Sequence, residues 1–208
     1  MTICLVTDRR RRSPVEQAAE AADAGVDLIQ IREPDMEAAA LASLVARIVG
    51  ITHGSRTRVV VNERLDVALT CGADGVHLRG DSMPPFRVRP IVPSGFLIGR
   101  SVHERSETTI AARDVNYFIA GTVFPTASKP GKTDLLGQSG LAAIASATPV
   151  PVLAIGGITM ETVGAVASTG AAGIAAIGLF ADRDRPIKQV VRALQERFNI
   201  GGVSSSST

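Results

Sequence analysis

Short apolar runs rich in β-branched residues recur along the chain, at 3–7, 28–31, 59–61, 76–78, 96–99, 117–120, 152–155 and 174–177. Between them apolar positions fall at helical spacing, over 14–24, 36–49, 64–71, 104–113, 140–147, 159–169 and 186–198. The pattern predicts strands and helices in alternation. The stretch 83–93 carries four prolines and is expected to hold only a short or broken helix. The strands read as continuous apolar runs rather than as alternating ones, which is the mark of a parallel sheet covered on both faces. Eight successive strand–helix units without a linker predict an α/β fold, a single (β/α)8 (TIM) barrel over residues 1–200, ahead of an open doubly wound sheet. The segments Ala24-Gly25-Val26-Asp27, Gly72-Ala73-Asp74-Gly75 and Gly170-Ala171-Ala172-Gly173 each end a helix and open a strand, with a left-handed glycine as the stop. Residues 201–208, rich in Gly, Ser and Thr, are expected to form a disordered tail.

Composition narrows the function classes. The 208 residues are 45% hydrophobic and 20% charged, with a net charge of +2, so a packed core is expected and no strong field invites nucleic acid or an acidic membrane. Aromatics make up 3% with no Trp, too few for base-stacking platforms. Cys4 and Cys71 fit no disulfide or metal framework and point to a reducing cytoplasm. Two uncharged stretches, 135–160 and 162–181, are long enough to span a bilayer, but the first is broken by Pro and Gly and the second opens on Ala, Gly, Thr and Ser. Both are read as helix–strand segments of a soluble fold, with no membrane partner. A homo-oligomer is compatible with this composition.

In such a barrel chemistry sits where the strands end. The polar residues after each run are Gln30, Arg32 and Glu33; Asn62 and Glu63; His77, Arg79, Asp81 and Ser82; Arg100, Ser101 and His103; then Thr122, Thr126, Ser128 and Lys129. Runs seven and eight end on Gly156-Gly157 and on Ile177-Gly178, where backbone N–H groups and a following helix start suit a phosphate; two turns that simply need glycine are the alternative. Thr126, Ser128 and Lys129 on a Pro/Gly-stiffened loop would form a second anion cradle. His103 carries an imidazole, the side-chain type suited to taking and returning a proton, while His77 reads as a hydrogen-bonded structural residue and His53 as inert. The Arg9–Arg12 run (9–12) reads as solvated surface, with attraction of phosphorylated ligands as the minor alternative.

The segments 4–8, 28–33, Val61-Asn62-Glu63-Arg64-Leu65-Asp66, 72–78, Ser101-Val102-His103, 121–129 and Ile155-Gly156-Gly157-Ile158-Thr159 together resemble the thiamine phosphate synthase family, including its thiazole tautomerase branch. The resemblance implies a barrel in thiamine biosynthesis whose partner is a phosphorylated thiazole. In the synthase, a pyrimidine diphosphate loses magnesium-bound pyrophosphate and the thiazole nitrogen captures the cation. The resemblance would give the pyrimidine and pyrophosphate to Gln30, Arg32, Asn62, Thr126, Ser128 and Lys129, the thiazole phosphate to Gly156, Gly157, Ile177 and Gly178, and the metal to Glu63 and Asp81. Three departures stand out: Pro34 replaces a basic residue, Glu63 replaces an aspartate, and Ser82 takes the position of the second metal carboxylate. They favour the tautomerase branch, which needs no metal. There His103 would shuttle the proton, Arg32 would pair with the ligand carboxylate, and Ser101 would line the substrate. The synthase is the alternative, followed by a non-catalytic binder of thiazole phosphate and a sugar-phosphate isomerase of the same architecture.

Overall fold

The computed structural model describes residues 1–126, 131 and 133–203. Eight parallel strands close into a barrel in sequence order, with β1 completing the ring against β8. The strands are β1 (Thr2–Val6), β2 (Leu28–Ile31), β3 (Arg58–Asn62), β4 (Gly75–Leu78), β5 (Leu97–Val102), β6 (Tyr117–Gly121), β7 (Val152–Ile155) and β8 (Gly173–Ala176). The helices between and after them are α1 (Pro14–Ala24), α2 (Ala38–Thr52), α3 (Leu65–Thr70), α4 (Pro85–Val88), α5 (Arg105–Ala111), α6 (Gly137–Ala145), α7 (Val163–Ala167) and α8 (Ile187–Val203). The proline-rich stretch yields only α4 and a 3₁₀ turn, Arg89–Ile91. A second 3₁₀ turn, Gly178–Phe180, follows β8.

Two apolar layers hold the ring. Inward side chains such as Val6, Leu28, Val60, Ile119 and Leu153 fill the barrel. Their neighbours in sequence, Leu5, Ile29, Val61, Phe118 and Ala154, pack under the helices. Each buried aliphatic side chain is worth about 1.5–3 kcal/mol, and this two-sided burial is why the strands read as unbroken apolar runs.

At the end where strands begin, one device recurs. The Asp27 carboxylate accepts the Ile3 N–H of β1 (2.9 Å), Asp74 accepts the Val59 N–H of β3 (2.8 Å), and Asn116 Oδ1 accepts the Ile98 N–H of β5 (2.9 Å). Arg56, Arg58 and Arg89 donate to the same three side chains. The Ala-Gly-Val-Asp and Gly-Ala-Asp-Gly echoes therefore place a left-handed glycine stop (φ 73° at Gly25, 69° at Gly72) just before an acceptor that ties the next strand to the previous one.

Element boundaries differ from the sequence expectation in three places. β5 runs to Val102 instead of ending at 99, because Arg100, Ser101 and Val102 stay paired with Phe118, Ile119 and Ala120 of β6 although the first two are polar. α7 covers only Val163–Ala167, so the chain after Gly157 takes five residues of loop before the helix begins, and the expected immediate helix start is absent. α8 continues to Val203 where a tail was expected from 201. A Cβ on Gly201 would lie 2.4 Å from the Gly164 carbonyl oxygen, so the glycine lets α8 press against α7. Residues 204–208 lie outside the described residues. The uncharged stretch 135–160 is α6 and β7, and 162–181 is α7, β8 and the second 3₁₀ turn; among the described residues no helix is long and apolar enough to cross a membrane.

Candidate active site

The ends of the strands gather the polar residues into one mouth. At β2 the Gln30 side chain, 3% exposed, donates Nε2–H to Asn62 Oδ1 at the end of β3 (2.9 Å). Gln30 Oε1 is buried with no protein partner, an acceptor left for a ligand donor, because an unmet buried acceptor costs about 1–3 kcal/mol. Three residues after Gln30, Glu33 is buried and accepts from Thr7 Oγ1 (2.7 Å) and the Arg9 N–H (3.2 Å). Thr7 Oγ1 in turn accepts the Arg32 N–H (3.0 Å), so the Thr7–Glu33 pair sets the backbone that presents exposed Arg32.

Inside the barrel, His77 bridges Tyr117 Oη (Nδ1, 3.3 Å) and Ser101 Oγ (Nε2, 2.9 Å). Burial, reinforced by the positive charge of Arg32, drives the His77 pKa from 6.5 down to about 3, so the imidazole is neutral. Burial also pushes the Tyr117 phenol up, keeping it protonated. The chain Tyr117–His77–Ser101 fixes the serine hydroxyl at the mouth. It requires Gly99, where a Cβ would stand 2.1 Å from Tyr117 Cζ and 2.6 Å from His77 Nδ1. The reading of His77 as a hydrogen-bonded residue is thus right, but its partners escape sequence reasoning because they come from β5 and β6. The buried Cys4 thiol is raised in pKa by desolvation, which disfavours the thiolate.

Glu63, just past β3, has φ 66°, a left-handed conformation uncommon for a residue with a long side chain. Its carboxylate accepts the Arg79 N–H (2.7 Å) and the Ser82 hydroxyl (2.5 and 2.6 Å to the two oxygens). Asp81, expected to share a metal with Glu63, instead pairs with the Arg79 guanidinium at 2.7 Å on the exposed side. The neighbour that meets Glu63 is Ser82. Arg100 is half-buried and donates from Nη2 to the Gly80 carbonyl (2.8 Å), while its Nη1 is buried without a hydrogen-bond partner among the described residues. Among the described residues no three His, Cys, Asp or Glu side chains cluster as a metal site.

Exposed His103 follows β5. Its Nδ1 lies 2.5 Å from the Gly121 carbonyl oxygen, so that nitrogen carries the proton and Nε2 is left as the acceptor. The His103 N–H donates to Glu107 Oε2, within the capping box of α5 that Glu104 and Glu107 form, which steadies the residue. The β7 glycines reach the same rim. Gly156 (φ 97°) would place a Cβ 2.5 Å from Thr122 Cγ2, and Gly157 (φ 65°) one 2.4 Å from the Pro125 carbonyl oxygen. Both glycines are required by the close approach of the β6 and β7 loops, whether or not a phosphate binds. His103 and the glycine turn are thereby joined through the end of β6, on one side of the mouth. Ile177 is half-buried, Gly178 is exposed, and Thr126 is half-buried after β6. Ser128 and Lys129 lie outside the described residues.

A sequence profile described as Thiamine monophosphate synthase matches residues 3–180. The chain belongs to that family. A protein of Methanoregula boonei named thiamine-phosphate synthase is 40% identical over 188 residues, covering 90% of this chain and 87% of its own. One of Methanoculleus marisnigri with the same name is 36% identical, covering 93% of each chain. The solved structure of a thiamine phosphate pyrophosphorylase from Pyrococcus furiosus superposes with a TM-score of 0.85 at 30% identity, over 96% of each chain. The resemblance to the family therefore holds along the whole barrel, and so does its place in thiamine biosynthesis. The expected leaning to the tautomerase branch is not shared by these relatives, which carry the synthase name.

Proposed function

We propose that the chain is a thiamine-phosphate synthase, joining a pyrimidine carried as its diphosphate to the ring nitrogen of a thiazole phosphate. The C–O bond to the diphosphate breaks with its electron pair leaving on pyrophosphate, and the thiazole nitrogen lone pair forms the new C–N bond. The observation that carries this reading is the barrel mouth that gathers the Gln30–Asn62 amide pair, the Glu63 carboxylate and the β7 and β8 glycine turns, supported by similar proteins that carry the thiamine-phosphate synthase name. The orphaned Gln30 Oε1 suits an amino group of the pyrimidine. Ser101, held by His77, lines the space between the two rings. Arg32 and Thr126, with Ser128 and Lys129, would meet the departing pyrophosphate, and the turns at Gly157 and Gly178 the thiazole phosphate.

Such a reaction implies magnesium, which neutralises the charge building on the leaving diphosphate. Magnesium is usually held by one or two carboxylates plus substrate phosphates and waters. Glu63 meets that minimum: two donors, the Arg79 N–H and the one Ser82 O–H, leave lone pairs on its carboxylate, and the Ser82 oxygen lies against both carboxylate oxygens. Glu63 and Ser82 would hold the ion; Asp81, turned to Arg79, would not.

A second reading is favoured by the His103 geometry. With Nδ1–H on the Gly121 carbonyl, Nε2 is free to take and return a proton, as a thiazole tautomerase needs, with no metal and with Arg32 on the ligand carboxylate. One assay separates the two. The purified protein is given pyrimidine diphosphate, thiazole phosphate and magnesium, and pyrophosphate and thiamine phosphate are quantified. Both products are expected in equal amounts, with turnover falling about a hundredfold in Glu63→Gln. No pyrophosphate, together with proton exchange on a carboxythiazole phosphate that His103→Asn abolishes, would replace the first reading by the second. Binding without either reaction would leave a non-catalytic thiazole-phosphate protein.

A further inference from the structure

The arginine run at 9–12 resolves into three different fates. Arg9 and Arg10 both pair with Asp35 (3.1 and 2.9 Å). Arg12 is 4% exposed, forms an ion pair with Glu20, and points Nη1 at the carbonyls of Phe180 (3.5 Å) and Asp182 (3.4 Å). Gln17, also buried, donates to the same Phe180 carbonyl at 2.9 Å. The loop after β1 and the start of α1 are thus clamped onto the 3₁₀ turn Gly178–Phe180. Arg11 alone of the four has no hydrogen bond or ion pair from its guanidinium among the described residues.

That free guanidinium stands beside Gly178. A Cβ built on Gly178 would lie 3.6 Å from Arg11 Nη1 and would meet nothing else within 4 Å. Gly178 has no left-handed φ, so neither backbone strain nor crowding calls for glycine there. With no side chain at Gly178 the backbone of the turn lies open toward an exposed planar cation, and a small withdrawal of the Arg11 side chain admits a dianionic phosphoryl group between backbone N–H donors and a two-pronged guanidinium.

We propose that Arg11 is a specificity-determining residue that binds the phosphoryl group of the thiazole substrate from its outer side, with Arg12 and Gln17 as positioning residues for the turn it works against. The proposal rests on the reading of the β8 turn as the thiazole-phosphate site and adds the side chain that selects the phosphorylated ring over the free alcohol. The test is a set of dissociation constants, by calorimetry, for thiazole phosphate and for the unphosphorylated hydroxyethyl thiazole. The wild type is expected to prefer the phosphate ester. Arg11→Gln is expected to lower that preference about tenfold, and Arg11→Lys by less, because a lysine keeps the charge without the fork. Arg10→Gln removes the same charge from a side chain tied to Asp35 and is expected to leave the preference within about twofold. A wild-type preference retained in Arg11→Gln, or lost equally in Arg10→Gln, would overturn the assignment of Arg11. No preference in the wild type would overturn the phosphate-site reading itself, and the proposal with it.

Discussion

At the residue scale the mouth depends on groups whose ionisation the fold dictates. Above pH 6.5 His77 is neutral in both the native and the unfolded chain. As the pH falls below 6.5 the unfolded chain takes up a proton that the native imidazole refuses until about pH 3. Stability is therefore full above 6.5 and falls by about 1.4 kcal/mol per pH unit below it. Denaturant titrations at pH 7 and 5.5 should show the wild type losing about 1 kcal/mol more than His77→Gln between the two; equal losses would mean that His77 is not held neutral. A second residue-scale prediction concerns Ser82, whose oxygen lies 2.5 and 2.6 Å from the Glu63 oxygens. In Ser82→Asp two carboxylates crowd one spot, so the variant should melt below the wild type in metal-free buffer by the equivalent of about 1–2 kcal/mol. Millimolar magnesium should restore it, with a smaller effect on the wild type, as differential scanning fluorimetry would read. Neither contact was legible in the chain. The resemblance aligned Ser82 with a metal carboxylate, but that its hydroxyl would cap Glu63 while Asp81 turned to Arg79 depends on the path of the loop after β4.

At the scale of elements, most of the barrel could be read in advance. Strands covered on both faces leave unbroken apolar runs, and helix ends leave glycines such as Gly25 and Gly72 with positive φ. The misread boundaries share a cause: polar or small residues inside an element. Arg100 and Ser101 hid the second half of β5, and Gly201 and Gly202 hid the last turn of α8. The rim acceptors belong to this scale as well. Asp27→Ala strands the Ile3 N–H of β1, and Asp74→Ala strands the Val59 N–H of β3. Each should cost about 1–3 kcal/mol in chemical denaturation. Because these acceptors sit at the end of the barrel away from the mouth, substrate affinities should stay within about twofold.

At the scale of the whole molecule, the ring must close for the mouth to exist, and closure brings β1 beside β8. Arg12, Gln17 and Glu20 act at that seam, Glu20 also accepting the Ile187 N–H that opens α8 (3.3 Å). Arg12→Met should destabilise the protein by about 3 kcal/mol, since removing one partner of a buried pair leaves unmet groups behind. Amide exchange should speed first at Phe180 and Asp182, whose carbonyls Arg12 holds. The family can be seen in the sequence because its segments lie at the ends of β1 through β7. The leaning to the tautomerase branch, drawn from charge missing at Pro34 and Ser82 and from the longer carboxylate of Glu63, is not shared by the named relatives, and the Glu63–Ser82 pair that bears on it is not visible in the chain. Most direct for the account as a whole is a crystal structure of the protein with thiazole phosphate, a non-hydrolysable pyrimidine diphosphate and magnesium. It should show the monophosphate within hydrogen-bond reach of the Gly157 and Gly178 amides and the diphosphate-bound metal on Glu63. A thiazole seated elsewhere, or a diphosphate that leaves Glu63 bonded only to Ser82 and Arg79, would contradict it.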